Sequence, residues 1–395
     1  MPLPEASRRL AFIAWAVASI ATTSCALFNT SASVPKVRSA GTDAAEAQAG
    51  TVRRLVELLA QRVRERRDAT LDILLLSGGG QNGAYGAGFL RGWQERAQPG
   101  MPHFDLVTGV SSSALLAPFA LIGTQAAVDR GAALYRTAPL ELAPTADFWP
   151  ALQGGDPGDA TRYRDLVDSL LDEPLQAELY REYKTRRTVA IATTDFDLGA
   201  VRFWELGHEL GDDDRGLRRA RALMVASAAV PGVFTPAMID RHVHAAGDVF
   251  SSLLVPLQYD DYRMLAARLK ALGTSDTIEV RVWVIMNGFA SADQVRIDPE
   301  SRSAMSERSQ ALFFRATQAE LVERVSDLTR AVSGGVRGLR MQLRVTMIPP
   351  ELAEEPGANA TYDPAWMLRL EQIGYERARG ESAWDRVIVP RDRYD

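Results

Sequence analysis

The sequence predicts an α/β protein built on a largely parallel sheet with helices on both faces, and three observations lead there. Short apolar strands alternate with helical segments along most of the chain. The first strand runs directly into a glycine loop that opens a helix, and the second ends in a sharp turn with a serine at the head of the next helix. No Pro/Gly-rich linker and no internal repeat divides residues 46–395, so one domain is expected there.

Each element has its own signal. Val52, Leu55, Leu58 and Leu59 recur at helical spacing within 44–67. The apolar run 71–76 is a strand and 83–96 a helix; 104–108 is the second strand and 112–122 its helix. A helical region covers 125–184, followed by a strand at 187–194. The helix over 216–228 is closed by Val230-Pro231-Gly232. Strands at 242–246, 277–286 and 339–347 and helices at 303–332 and 364–379 complete the pattern.

A chain of 395 residues can bury a large core, and its ordinary composition excludes a disordered or fibrous protein. The formal net charge of −5 comes from interleaved acids and bases. No basic face with aromatics marks a nucleic-acid partner. Asp212-Asp213-Asp214 reads as a solvated loop answered by Arg215, Arg218, Arg219 and Arg221. The single cysteine, Cys25, excludes an intrachain disulfide and a cysteine-based metal site. His103, His208, His242 and His244 lack ligand spacing such as His-Glu-x-x-His, although His242 and His244 would share a strand face. Neither a metal nor a cofactor is expected.

The N-terminus reads as an export signal. Arg8 and Arg9 precede an apolar run from Leu10 to Ala21, then Thr22-Thr23-Ser24-Cys25. The run is shorter than the ~20 residues a spanning helix needs. Small residues before a lone cysteine resemble the bacterial lipobox, with Thr22 where leucine is usual; this implies a lipidated Cys25 as the mature N-terminus. The alternative is an ordinary signal peptide cut near the same place. Ala26 is not the aspartate associated with inner-membrane retention, so the expected location is the outer membrane of a bacterial envelope, facing the periplasm. The organisation predicted is 1–25 signal peptide, 26–45 flexible Ser/Ala/Thr/Gly-rich tether, and 46–395 working domain.

The chemistry lies in two turns. Gly78-x-Gly80-x-x-Gly83 after a strand fits a dinucleotide fingerprint, but Asp105 opens the second strand instead of closing it. The absence of Gly-Lys-Ser/Thr excludes a P-loop. The same loop, at a helix N-terminus, also suits an oxyanion hole formed by Gly78, Gly79, Gly80 and Gly83. Gly109-Val110-Ser111 approximates the Gly-x-Ser-x-Gly nucleophile elbow, with Ser113 in place of the second glycine. Serines before a helix also act as caps, which suits Ser112 or Ser113; Ser111 is the candidate nucleophile.

Four separated blocks resemble the patatin-like phospholipases: Leu76-Ser77-Gly78-Gly79-Gly80 with Gly83 to Gly88; Val107 to Ser111; Ala192-Thr193-Thr194-Asp195; and Ala226 to Phe234. The resemblance implies a three-layer fold and hydrolysis of lipid acyl esters, often phospholipids, by a Ser-Asp dyad without histidine. The membrane would be met through the N-terminal anchor, and no protein partner is indicated. The family carries its acid in Asp-Gly-Gly or Asp-Gly-Ala at a strand end. Here that region reads His242-Val243-His244-Ala245-Ala246-Gly247-Asp248, and direct matching puts His244 or Ala246 at the acid's place. Three readings stay open: Asp248 as base, His244 as base, or a degenerate site that binds lipid without cleaving it. Asn82 stands where the family's loop often has Arg or Lys. Asp195 reads as a buried cap, and Trp93, Trp204 and Trp283 as core.

Overall fold

The computed structural model describes residues 40–142, 161–230, 235–249, 251–274, 276–289, 295–358 and 362–390. Cys25 with its export segment, most of the tether, the helical reading of 143–160 and the closing Pro231-Gly232 lie outside them. Residues 44–395 make one compact unit.

Helix α1 (Ala40–Arg66) leads to strand β1 (Thr70–Leu76), helix α2 (Gly83–Gln94), strand β2 (Leu106–Val110) and helix α3 (Ser112–Ile122). Helices α4 (Gln125–Leu142), α5 (Thr161–Leu170) and α6 (Glu173–Lys184) precede a hairpin of β3 (Thr188–Asp195) and β4 (Ala200–Glu205). Helices α7 (Leu206–Leu210) and α8 (Asp214–Ala228) come before a second hairpin, β5 (Ala237–Ile239) and β6 (His242–Ala246). The chain continues through α9 (Tyr259–Ala271), β7 (Ile278–Met286), α10 (Arg302–Gly335), β8 (Leu339–Met347), α11 (Pro364–Arg379) and β9 (Arg386–Ile388).

Strands β3, β2, β1, β7 and β8 run parallel as the centre of the sheet; β4, β5, β6 and β9 add antiparallel margins. Side chains of β1 alternate between two cores. Leu71, Ile73 and Leu75 pack with α1, α9 and α10, whereas Leu74 and Leu76 pack with α2, α3, α8 and α11. A sheet covered on both faces explains why β1 reads as a nearly unbroken apolar run. The exception, Asp72, is buried and accepts hydrogen bonds from Arg281 and from Trp283 Nε1 at 2.8 and 3.0 Å. Asp105 is a structural lock, fully buried and held by Arg62 and Arg66 at 2.8 and 2.7 Å. Strand β2 starts at Leu106, two residues beyond the expected 104.

One feature of register positions the site. On one edge of β3, β4 pairs continuously with residues 190–195. The other edge is shared: β2 takes residues 188–192, and β6 takes 193–195. Because β6 is antiparallel to β3, it runs back toward the point where β2 ends. Gly247 then lies against Ala192 and Val110, its added Cβ being 2.6 Å from Ala192 O and 3.0 Å from Val110 Cγ1. The next residue, Asp248, arrives beside the end of β2.

Candidate active site

Ser111 sits at that end with φ 55° and ψ −130°, a backbone that is strained for a non-glycine residue by roughly 1–3 kcal/mol. It occupies the N-cap of α3, yet its side chain makes no capping hydrogen bond. Its N–H donates to Ser227 Oγ at 3.2 Å, which helps hold the turn. Gly109 is obligatory, because a Cβ there would stand 2.5 Å from Ser113 O. Ser113 replaces the second glycine of the elbow without leaving its hydroxyl orphaned. Its Oγ donates to Ser77 O at 2.7 Å and accepts from Asn287 Nδ2 at 3.0 Å.

Asn287, the residue after β7, ties the elbow to the glycine loop. Its Nδ2 also donates to Ser77 O at 2.8 Å, its Oδ1 accepts the Gly86 N–H at 2.9 Å, and its own N–H donates to Ser77 Oγ at 2.7 Å. Gly79 packs so closely that a Cβ would stand 2.1 Å from Asn287 O. The four predicted oxyanion glycines divide in two. The Gly78 N–H donates to Ser252 O at 2.7 Å, and the Gly83 N–H bonds back to the carbonyls of Gly80 and Gln81. These two amides are engaged, so Gly78 and Gly83 shape the loop instead of donating from it. Those of Gly79 and Gly80 have no acceptor among the described residues, and Gly80 turns with φ +55° at the wall of the same cavity as Ser111.

Asp248 meets Ser111 across Gly78. A Cβ on Gly78 would lie 3.2 Å from Ser111 Cβ and 3.4 Å from Asp248 Oδ2. Both side chains face Gly78, so the Ser111 hydroxyl stands beside the Asp248 carboxylate. Although part of its surface is open, protein surrounds Asp248 densely enough that burial raises its carboxyl above the usual carboxylate range, with the Ser111 hydroxyl opposing the shift.

His244 stands elsewhere. It is fully buried, shares a 3.0 Å hydrogen bond with Thr193 Oγ1, and packs against Trp204 with ring centroids 5.7 Å apart. Burial pushes its imidazole down to about 4, so it is neutral at pH 7. Asp195 behaves as the cap its sequence suggests: Oδ1 accepts the Leu198 N–H at 3.0 Å, and Oδ2 pairs with His242 Nδ1 at 2.8 Å. Asp195, Asp197 and His242 bring ligand-type atoms within 4.8 Å of one another. Each of the three is already engaged in holding the hairpins, Asp197 by the Val243 N–H at 2.7 Å, and Arg202 lies 3.9 Å from Asp195. The trio therefore reads as structural.

Ser111 lines a small cavity of about 30 Å³. Its walls are mostly apolar, from Leu115, Leu134, Leu166, Ala228 and Met367, with the phenols of Tyr135 and Tyr362 among them. An apolar cleft with a few convergent polar groups suits a lipid ester better than a nucleotide.

Residues 74–257 match the family model described as patatin-like phospholipase. This segment is a patatin-like phospholipase domain. It contains the glycine loop, Ser111 and Asp248. Among solved structures, VipD from Legionella pneumophila is similar over 78% of this chain and 66% of that one, at 12% identity and a TM-score of 0.37. The present chain thus spans just under two thirds of that protein. No curated protein matches the chain. Among the described residues no helix is long and apolar enough to cross a membrane.

Sequence reasoning missed Asn287, Ser227, Tyr135 and Tyr362. Ser227 lies inside one of the resembling blocks and could have been noticed. Asn287 follows a strand with no motif around it, so nothing local singled it out.

Proposed function

We propose that the chain is a serine acyl hydrolase that cleaves ester bonds of phospholipids or related lipids through Ser111 and Asp248. The supporting observation is that Ser111, on a strained turn and free of any capping bond, stands beside the Asp248 carboxylate across Gly78. Ser111 Oγ attacks the ester carbonyl carbon while its proton passes to Asp248. The tetrahedral oxyanion accepts hydrogen bonds from the amides of Gly79 and Gly80; loss of one such donor costs roughly 2.7–4 kcal/mol of transition-state stabilisation. The carbon–oxygen bond to the leaving alcohol breaks, and that oxygen takes the proton from Asp248. Water then gives a proton to Asp248 and attacks the acyl-enzyme; the fatty acid leaves and Ser111 regains its proton.

The test is fluorophosphonate labelling of Ser111 together with hydrolysis of acyl esters of short and long chain. Ser111→Ala should abolish both, and Asp248→Asn should slow both about 100-fold or more. Wild type as inert as Ser111→Ala would leave a lipid-binding protein without catalysis. Loss of labelling in His244→Ala but not in Asp248→Asn would assign the base to His244. We also propose export and anchoring through a lipidated Cys25, on the strength of the Arg8 to Cys25 pattern. Cys25→Ala should release the protein from membranes, and unchanged retention would contradict the anchor.

A further inference from the structure

Tyr362 enters the Ser111 cavity from a part of the chain well beyond the family-matched segment. Its backbone has φ +56°, a left-handed conformation that is costly for an aromatic residue, on the order of 1–3 kcal/mol. The glycine loop holds it there from both sides. Gln81 Nε2 donates to Gly357 O at 3.0 Å, and Gln81 Oε1 accepts the Asp363 N–H at 2.8 Å. Asn82 Oδ1 accepts from Trp366 Nε1 at 2.9 Å, and Asp363 caps α11 by accepting the Trp366 N–H at 2.9 Å. The two residues that follow the Gly78–Gly80 turn therefore set where Tyr362 stands.

Two phenols line the cavity. That of Tyr135 is engaged, donating to Ser112 O at 3.2 Å. That of Tyr362 has no hydrogen-bond partner among the described residues. Burial, with the negative charge of Asp248 adding to it, pushes the Tyr362 phenol up to about 12, so it keeps its proton at any working pH. A strained backbone, clamped to the glycine loop, thus presents an uncommitted O–H donor to the space beside Ser111. Strain retained at a cavity wall is commonly tied to function.

We propose that Tyr362 is a substrate-contacting residue whose phenol O–H donates a hydrogen bond to the carbonyl oxygen of the bound acyl group, strengthening as that oxygen gains charge. The proposal deepens the acyl-hydrolase reading, on which its kinetic part rests. Its binding part does not, because the carboxylate of a free fatty acid would accept the same bond.

The experiment compares wild type with Tyr362→Phe in the full chain, using p-nitrophenyl butyrate for hydrolysis and dodecanoic acid, read by displacement of a fluorescent fatty acid, for binding. A hydrogen bond to a charged oxygen predicts kcat lower by about 10- to 100-fold with KM unchanged, and dodecanoic acid bound about 10-fold more weakly. The thermal midpoint should not move, because the phenol has no hydrogen-bond partner among the described residues to lose. Hydrolysis and binding both within two-fold of wild type would overturn the proposal, as would a fallen thermal midpoint that accounts for both losses. If wild type itself hydrolyses nothing, the acyl-hydrolase reading fails, and the dodecanoic acid measurement still decides the role of Tyr362.

Discussion

The base proposed here, Asp248, can act only when ionised, and burial holds its carboxyl above the usual carboxylate range. A raised pKa means that the protonated, inactive form persists to higher pH than for an exposed aspartate. Activity should therefore fall as pH drops through a limb displaced upward from the ordinary value of about 3.9. In Asp248→Asn the residual rate should lack that limb. A pH profile of kcat/KM on a soluble ester measures both, and a limb unchanged in the Asn variant would assign it to another group. At this scale the sequence was uneven. Ser111 and Gly109 were legible because strand, turn and helix are local. Asp248 was legible only as the nearest carboxylate, since its approach depends on β6 taking the edge of β3 where β2 stops. The glycines were visible as glycines, but which amides remain free depends on Ser252, some 170 residues away in the chain.

Among the elements, those that escaped sequence reading are α7, α9 and the short marginal strands β4, β5 and β9, where burial on one face is partial and apolar periodicity weak. β4 nevertheless ends in a group with a measurable effect. Glu205 is buried; its Oε1 accepts from Thr188 Oγ1 at 2.7 Å, whereas its Oε2 has no hydrogen-bond partner among the described residues. Burial pushes its carboxyl up to about 7. The folded protein thus holds a proton that the unfolded chain, titrating near 4.3, releases. Stability should fall as pH rises from that value to about 7 and level off beyond. Glu205→Gln keeps the acceptor for Thr188 and removes the ionisation. The variant should gain on the order of 1–3 kcal/mol relative to wild type at pH 8 and little at pH 5. Urea unfolding at the two pH values measures this, and an equal difference at both would show that Glu205 does not titrate in that window.

On the scale of the whole molecule, the family match ends at residue 257, but the sheet does not. β7 pairs with the full length of β1, from Thr70↔Glu279 to Leu76↔Ile285, and delivers Asn287 to the glycine loop. The last helix is fitted to the same loop's helix by small residues. A Cβ on Gly88 would stand 1.9 Å from Glu371 O, one on Gly92 2.2 Å from Tyr375 O, and one on Gly374 2.1 Å from Tyr85 O. Arg91 and Arg136 then converge on Glu371, at 2.7 and 2.8 Å. Gly88 carries part of the family resemblance in the sequence, and the structure supplies a packing reason for it: α11 approaches too closely for any side chain. The chain beyond the matched segment therefore supplies three of the nine strands described, β7, β8 and β9, and one wall of the Ser111 cavity. A fragment of residues 44–257 would expose the unpaired edge of β1 and the apolar faces left by β7, α10 and α11. It should show no cooperative unfolding transition and no fluorophosphonate labelling, whereas residues 44–390 should keep both. Gly88→Leu in the longer chain separates edge pairing from helix docking, because it leaves β7 in place and forces α11 off α2. Circular dichroism melts and labelling should then show a folded sheet with impaired labelling. Full labelling in that variant would mean that the position of α11, and with it Tyr362, does not matter to Ser111.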